Sequence, residues 1–490
     1  MSVRRHTGYN LLGALIPIIL SLVTVPLYLE LVGAERYGVL AIAWLLLGYF
    51  GLFDLGLGRA TSFRISALRS APAATRSSTF LSALAVNAAM GVAGGLTLWA
   101  AAAYFFSHVF KVDEHLRGEI LAAVPLLAAS VPVATLMGVL TGAMQGREKF
   151  LEINVISVIS TTLFQLVPLA LAWRLGPNLS LLLGGALAAR GFALVAMGYR
   201  CHAELIRGSK GRVDKGEVVA LLKYGGWVSL TSALGPLLYI ADRFVIGALL
   251  GAAAVTNYTV PLQLAGRTAI LPSALTTALF PRLSAASPDE QRELTDRATL
   301  TLASLLSLPF LGGVFLIGPF LNLWVGDKIA PQADLVGRII LVGMWANAFA
   351  LISFTRLQAA GRPDLVTKVM LLEIPPYFLV MYLGIIWFGL PGAAFAVAAR
   401  SLADYALLTW FAGRRLPGWR TQAVNLALLI LGVWLASIWR ITDWQWWLAA
   451  LILGMGTLAI AAYSLPGELR EELIRRLRAA LRRPDLGTGP

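Results

Sequence analysis

The chain has 490 residues, of which 58% are hydrophobic and 13% are charged, and its net charge is +14. Soluble proteins contain roughly 45–50% apolar and about 25% charged residues. The composition therefore excludes a soluble multidomain enzyme and predicts an all-α, polytopic membrane protein. A transmembrane helix needs about 20 apolar residues, and the hydrophobic residues suffice for about 14 such helices.

Apolar stretches long enough to cross a bilayer follow one another along the whole chain. Fourteen are predicted, at residues 10–32, 36–57, 79–106, 118–143, 151–174, 179–200, 222–249, 255–280, 298–325, 334–358, 367–388, 391–412, 422–439 and 446–464. The connections at 33–35, 175–178 and 389–390 are very short. These three positions leave open whether neighbouring stretches form one merged or interrupted helix.

Lysine and arginine are distributed unevenly between alternate loops. The N-terminus, every second loop and the C-terminal tail carry 28 of them, whereas the opposite loops carry 8, with Arg243 and Arg338 counted among the eight. Because cytoplasmic loops are enriched in these residues, both termini are predicted to lie in the cytoplasm. The expected location is the bacterial inner membrane.

An internal repeat divides the chain. The sequence Ala-x-Ala-Ala-Arg ends at Arg190 and again at Arg400, 210 residues later, and the long polar stretch 200–217 lies between the two copies. Repeats with an even number of spans share one orientation and enclose a central cavity. We therefore expect an N-lobe of six spans (1–208), a C-lobe of six spans (209–415), two extra helices (416–464) and a cationic amphipathic cytoplasmic tail (465–490).

Several kinds of chemistry lack their sequence signals. Cys201 is the only cysteine, so neither an intrachain disulfide nor a cysteine metal site is possible. No G-x-x-x-x-G-K-[ST] loop occurs, which argues against nucleotide hydrolysis of that type. The loops are also too short for the catalytic domain of a membrane glycosyltransferase. We expect no enzymatic activity, no cofactor, no metal and no nucleic-acid partner.

Three arginines lie near the middle of predicted spans: Arg190, Arg267 and Arg400. A charge at the centre of a membrane helix costs about 2.5–3.5 kcal/mol on insertion scales, so such residues usually face a cavity and serve a pathway. A guanidinium offers a planar fork of donors that fits phosphate oxygens. The pattern favours an anionic, phosphate-bearing substrate. The alternative is that each arginine only satisfies a neighbouring carboxylate or helix end, and Asp404 is placed to pair with Arg400 at i, i+4.

Intramembrane acids are fewer, and three are candidates for ion coupling: Glu373, Asp404 and Asp54. A buried carboxylate can take up a proton at one membrane face and release it at the other. Glu373 is the first candidate because its sequence neighbourhood shows no obvious partner. The alternative is an interfacial carboxylate beside Lys368.

Four segments together resemble a known family. They are YIADRFVIGALLGAAAVTNYTVPLQLA (239–265), LVTVPLYLELVGAERYGV (22–39), GLFDLGLGRA (51–60) and LFPRLS (279–284). In this order they resemble the polysaccharide exporters and lipid-linked oligosaccharide (O-antigen-type) flippases of the multidrug/oligosaccharidyl-lipid/polysaccharide flippase superfamily.

The resemblance implies two six-helix lobes plus two helices, and translocation of a polyprenyl-diphosphate-linked oligosaccharide from the cytoplasmic to the outer leaflet. Arg267, followed by Pro272 and Ser273, resembles an arginine important in lipid II flippases and is the first choice for the diphosphate. Expected partners are the lipid-linked oligosaccharide, membrane lipids, a polysaccharide polymerase and a chain-length regulator, with the chain itself a monomer. A drug or organic-cation antiporter, a lipid II flippase and a structural scaffold for cell-wall synthesis remain alternatives.

Overall fold

The computed structural model describes residues 3–48, 57–68, 71–219, 238, 240–413 and 418–464. Its long elements are all helices: α1 (Val3–Gly48), α2 (Leu57–Ala67), α3 (Ala73–Tyr104), α4 (Glu114–Gly146), α5 (Phe150–Leu175), α6 (Leu179–Cys201), α7 (Ala252–Gly266), α8 (Ile270–Ala285), α9 (Pro288–Val325), α10 (Gln332–Ala359), α11 (Pro363–Phe388), α12 (Leu390–Phe411), α13 (Trp419–Ile438) and α14 (Trp444–Ser464). Nine helices within the described residues are long and apolar enough to cross a membrane. The all-α, multi-pass membrane class is confirmed, and the count of fourteen spans is compatible with these helices.

Close packing divides the chain into two compact units. The first contains residues 1–259 with 327–329, and the second contains 260–326 with 330–490. The lobe boundary at 208/209 stays a prediction, as does the separate pair of helices at 416–464. The cationic tail at 465–490 lies outside the described residues.

Within α1, the first two predicted spans are two helical segments joined directly at a kink. Within α1, Gly33 has φ 78° and ψ 166°, which is not a helical conformation. Such a positive φ is strained for residues with a Cβ but not for glycine. Gly33 therefore lets the helix change direction between the two predicted spans without a loop.

The first unit has a core shared by α2, α3, α4 and α6. Large buried members include Ile65, Phe80, Met144 and Met197. Cys201 lies in the same core, with its thiol directed at the carbonyl oxygen of Leu140 at 3.4 Å. The lone cysteine is therefore an apolar packing residue of this unit.

In the second unit α10 is the central helix. It packs against α8, α9, α12 and α13, and Ile340, Ala346 and Phe349 on it have no exposed surface. Burial on several faces explains why its sequence is apolar nearly all round.

Helices α11 and α12 approach each other closely at two glycines, Gly384 and Gly392. A Cβ added at Gly392 would overlap the carbonyl oxygen of Gly384. Small residues at such positions let membrane helices pack backbone to backbone.

We expect Gly392→Ala to lower the free energy of unfolding by about 1–3 kcal/mol, as overpacking does. Thermal unfolding of the purified protein measures the change. Gly312→Ala is the matched control, because a Cβ at Gly312 has no neighbour within 4 Å. Equal unfolding midpoints for the two variants would contradict this account of the contact.

Candidate functional site

A cavity of about 480 Å³ lies between α11 and α12 in the second unit. Most of its wall consists of alanine, leucine, valine and proline side chains, and two charged residues, Glu373 and Arg400, also line it. The cavity brings together two residues that the sequence placed on separate spans and assigned to different roles.

Glu373 is the most deeply buried acid of this cavity, with 3% of its surface exposed. Neither of its carboxylate oxygens accepts a hydrogen bond from the described residues. Its nearest cation is Arg400, whose Nη1 lies 4.0 Å from Oε2, well beyond the 2.7–2.9 Å of a direct charged hydrogen bond. The carboxylate is thus near a positive charge but not locked to it.

Arg400 is held by an aromatic ring as well as by charge. Its Cζ lies 5.1 Å from the centre of the Tyr377 ring on α11. A guanidinium stacked in this way keeps its in-plane N–H donors available at the edge. The arrangement can present a donor fork to an anion entering the cavity.

Asp404 also contributes to the electrostatics of the pair. It is half-buried and interacts electrostatically with both Glu373 and Arg400. Within the described residues, the carboxylate at ion-pair distance from Arg400 is Glu373. Asp404, the i, i+4 partner expected from the sequence, therefore lies farther from Arg400 than Glu373 does.

Two consecutive prolines shape the wall of the cavity. Pro375 and Pro376 lie inside α11, two and three residues after Glu373. Proline has no N–H to donate to the carbonyl four residues earlier, so the carbonyls of Leu371 and Leu372 lose their usual partners. Glu373 is consequently positioned beside backbone that is less tightly held than the rest of the helix.

The first unit contains a counterpart on the matching helix of the repeat. Arg190 of α6 stacks on Phe164 of α5, with Cζ 4.5 Å from the ring centre, and its Nη1 donates to the Ser160 hydroxyl at 3.4 Å. Arg400 of α12 stacks on Tyr377 of α11 in the same manner. The repeat therefore extends beyond the Ala-x-Ala-Ala-Arg motif to the contact that each arginine makes.

Arg267 lies apart from this cavity lining, at a break in a helix. It begins the short 3₁₀ turn Arg267–Ala269 that joins α7 to α8. The change to 3₁₀ geometry in the middle of a predicted span is typical of hinges. Arg267 is half-buried there. Asp54 lies outside the described residues.

The aromatic partners Tyr377 and Phe164 were missed by the sequence analysis, as was Ser160. Each aromatic residue lies on the helix that precedes its arginine-bearing helix. An aromatic residue about 25 positions before a mid-span arginine, in both halves, is the signal that would have found them.

Two arginines that the sequence analysis counted in outer loops are buried in helical segments instead, which corrects that count. Arg243 is 1% exposed and its Nη1 pairs with Asp242 at 2.8 Å, while Tyr258 donates to the same carboxylate at 2.6 Å. Arg338 is 7% exposed within α10.

Comparisons with known proteins identify the family. Residues 3–287, more than half of the chain, match the model of the family described as polysaccharide biosynthesis protein. A Shigella flexneri protein named "Putative O-antigen transporter" is 26% identical over 411 residues, covering 84% of this chain and 97% of that protein.

Solved structures show the same fold at low sequence identity. The lipid II flippase MurJ in an inward closed conformation has a TM-score of 0.70 at 12% identity, covering 96% of this chain and 100% of the other. A multidrug resistance MATE family transporter of the MOP superfamily, in an inward-facing conformation, has a TM-score of 0.69 at 14% identity, covering 85% and 98%. The chain is a multi-pass membrane protein of the polysaccharide biosynthesis protein family, with the fold of the MOP transporter superfamily.

Proposed function

We propose that the chain is a flippase that moves a polyprenyl-diphosphate-linked oligosaccharide, of the O-antigen or exopolysaccharide repeat-unit type, from the cytoplasmic to the periplasmic leaflet. The observation that carries the proposal is the pair of stacked arginines on matching helices, Arg190 on Phe164 and Arg400 on Tyr377. Family membership supports the glycan class, and the relative named as an O-antigen transporter agrees with it.

The arginines suit the part of such a substrate that is the same for every glycan. A diphosphate carries negative charge and several acceptor oxygens, and a guanidinium binds these in a bidentate way. Stacking fixes each guanidinium plane, so less conformational entropy is lost when the phosphate binds. We assign Arg190, Arg267 and Arg400 to the diphosphate, with Arg267 at the turn between α7 and α8.

Movement follows an alternating-access scheme driven by an ion gradient. A buried carboxylate without hydrogen-bond partners is disfavoured as an anion, and Glu373 is such a group within the described residues. Proton uptake by Glu373 would leave Arg400 free of its nearest carboxylate and available to the diphosphate. Asp404, which interacts electrostatically with both, is the second acid of this step, and Asp54 remains a further candidate.

The rival functions differ from the proposed one in the charge of the substrate, in its glycan, or in having no substrate. An organic-cation antiporter needs an acidic or aromatic cavity; the cavity here has Glu373 and Tyr377, but Arg400 lies beside both, so an organic cation would meet a positive charge. A lipid II flippase shares the diphosphate and differs in the glycan. A structural scaffold for cell-wall synthesis has no use for arginines in the middle of membrane helices.

We also propose an oligomeric state, a membrane, an orientation and partners for the chain. The chain acts as a monomer in the bacterial inner membrane, with both termini in the cytoplasm, and it passes its substrate to a polymerase and a chain-length regulator. The uneven distribution of lysine and arginine between alternate loops supports this orientation.

Binding tests the proposal directly. A polyprenyl-diphosphate-linked oligosaccharide at 100 times its dissociation constant should stabilise the purified protein by about 2.7 kcal/mol, which thermal unfolding in micelles measures. Tetraphenylphosphonium, a lipophilic organic cation, should give no stabilisation. Stabilisation by the cation and none by the lipid-linked oligosaccharide would favour the antiporter.

A further inference from the structure

A polar segment of the first unit, residues 207–217 (the strap), lies along the first turns of α3. Side chains of α3 hold its backbone. The N–H of Arg212 donates to the Ser78 hydroxyl at 3.0 Å. The N–H of Asp214 donates to the Ser82 hydroxyl, one turn further along the helix, at 2.9 Å. These two hydrogen bonds fix the course of the strap along α3.

Two further contacts hold the strap. Gly211 lies so close to α3 that a Cβ added to it would overlap the Ser77 side chain. Glu217, at the end of the strap, pairs with Arg64 of α2. The strap is therefore a fixed part of the surface of the first unit, and its exposed side chains project from a held backbone.

The strap lies at the level where α3 enters the membrane. Helix α3 begins at Ala73, and the predicted span within it begins at residue 79, between Ser78 and Ser82. The ends of membrane helices lie near the lipid headgroups. The uneven loop charges predict that this end of the unit faces the cytoplasm. We therefore expect the strap at the headgroup level of the cytoplasmic leaflet.

Four cations of the strap are exposed. They are Arg207, Lys210, Arg212 and Lys215. Among the residues that the structure describes, the carboxylates near the strap pair with other cations and not with these four. Val213, which lies among them, has 56% of its surface exposed. Exposed cations beside an exposed apolar side chain are typical of segments that lie in a membrane interface.

Three acids on or near the strap leave most of this charge unbalanced. Glu204 pairs with Lys149 at 2.7 Å, and Glu217 pairs with Arg64. The carboxylate of Asp214 accepts a hydrogen bond from the backbone N–H of Glu217 at 2.9 Å. Asp214 balances at most one of the four cations, so a net positive charge remains at the surface of the strap.

We propose that the strap binds the headgroups of anionic phospholipids in the cytoplasmic leaflet. Anionic headgroups attract cations that lie within a Debye length of the membrane surface. Because one held backbone carries all four cations, several of them can contact lipid phosphates at the same time. The side chain of Val213 suits the apolar region just below the headgroups. The proposal does not depend on the proposed transport function.

A fluorescent label on the strap tests the proposal in nanodiscs of the full-length protein. Val213→Cys provides an exposed thiol for an environment-sensitive fluorophore, whereas the native Cys201 is buried. The emission of the label should shift to shorter wavelength as phosphatidylglycerol replaces phosphatidylcholine. Inorganic phosphate added to phosphatidylcholine nanodiscs should leave the emission unchanged. No shift with phosphatidylglycerol, or an equal shift with inorganic phosphate, overturns the proposal.

Charge variants of the labelled protein separate the strap from the other cations of the chain. At the phosphatidylglycerol content that gives half of the full shift, Lys210→Gln and Arg212→Gln should each lower the ratio of lipid-bound to free strap about fivefold, the factor that one cation near an anionic surface supplies. Glutamine keeps the backbone N–H of Arg212 that binds Ser78.

Arg297→Gln is the matched control. Arg297 is an exposed cation that pairs with Glu293 at 2.7 Å on α9, so its replacement removes the same charge away from the strap and should leave the ratio unchanged. An equal loss in all three variants would show that the net charge of the chain, and not the strap, attracts the lipid.

Discussion

Arg400→Gln should lower the initial rate of translocation of a lipid-linked oligosaccharide by about 10- to 100-fold, the range for losing a hydrogen-bonded charged contact. Glutamine removes both the positive charge and the planar fork that stacks on Tyr377. Arg400→Lys keeps the charge and loses the fork, so its translocation rate should lie between that of Arg400→Gln and that of the wild type. The rates are measured in proteoliposomes that contain equal amounts of protein.

Arg420→Gln is the control for this prediction. Arg420 also stacks on an aromatic ring, with Cζ 5.6 Å from the Trp419 ring centre, but it is exposed at the start of α13. Its replacement should leave the rate unchanged. A wild-type rate for a stably inserted Arg400→Gln protein would show that Arg400 has no part in holding the diphosphate.

Glu373→Gln should abolish the dependence of translocation on an imposed pH gradient. Glutamine has nearly the same shape as glutamate and cannot exchange a proton. In the wild type, an inward proton gradient should accelerate translocation because Glu373 is protonated on one side and deprotonated on the other. In the variant, the rate with the gradient should equal the rate without it.

Asp364→Asn separates this effect from a general loss of acidic charge on α11. Asp364 is half-exposed and pairs with Arg362 at 3.0 Å, so its variant should keep the wild-type response to the gradient. If Glu373→Gln also keeps the full response, Glu373 does not carry the coupling proton, and Asp404 and Asp54 are the next acids to replace.

The candidate site could be predicted only in part. Arg190 and Arg400 were recognisable because a repeated motif places them on matching spans. Their aromatic partners depend on which helices are neighbours and on how each is rotated, and span prediction provides neither. The structure pairs Lys368 with Asp364 at 3.5 Å and leaves Glu373 near Arg400, 27 residues later. A contact over that distance in the sequence depends on the tight packing of α11 on α12.

For the fold as well, features set by neighbouring residues in the sequence could be predicted, whereas features set by contacts between distant residues could not. Hydropathy located the helices because about 20 apolar residues are needed to cross a bilayer. It could not show whether Gly33 ends a helix or bends one, because a glycine allows both. The predicted spans 222–249 and 334–358 already contained Arg243 and Arg338, but the count of loop charges assigned both to outer loops because a cation near a span end is not distinguished from a loop residue by sequence alone.

Translocation by the wild-type protein tests the central claim most directly. Proteoliposomes are loaded with a labelled polyprenyl-diphosphate-linked oligosaccharide, and a membrane-impermeant glycosidase added outside reports how much of it reaches the outer leaflet with time. We predict that the purified protein makes the label that starts in the inner leaflet accessible much faster than in protein-free vesicles. Equal rates in the two preparations, with the protein folded and inserted and a proton gradient imposed in either direction, would contradict the account.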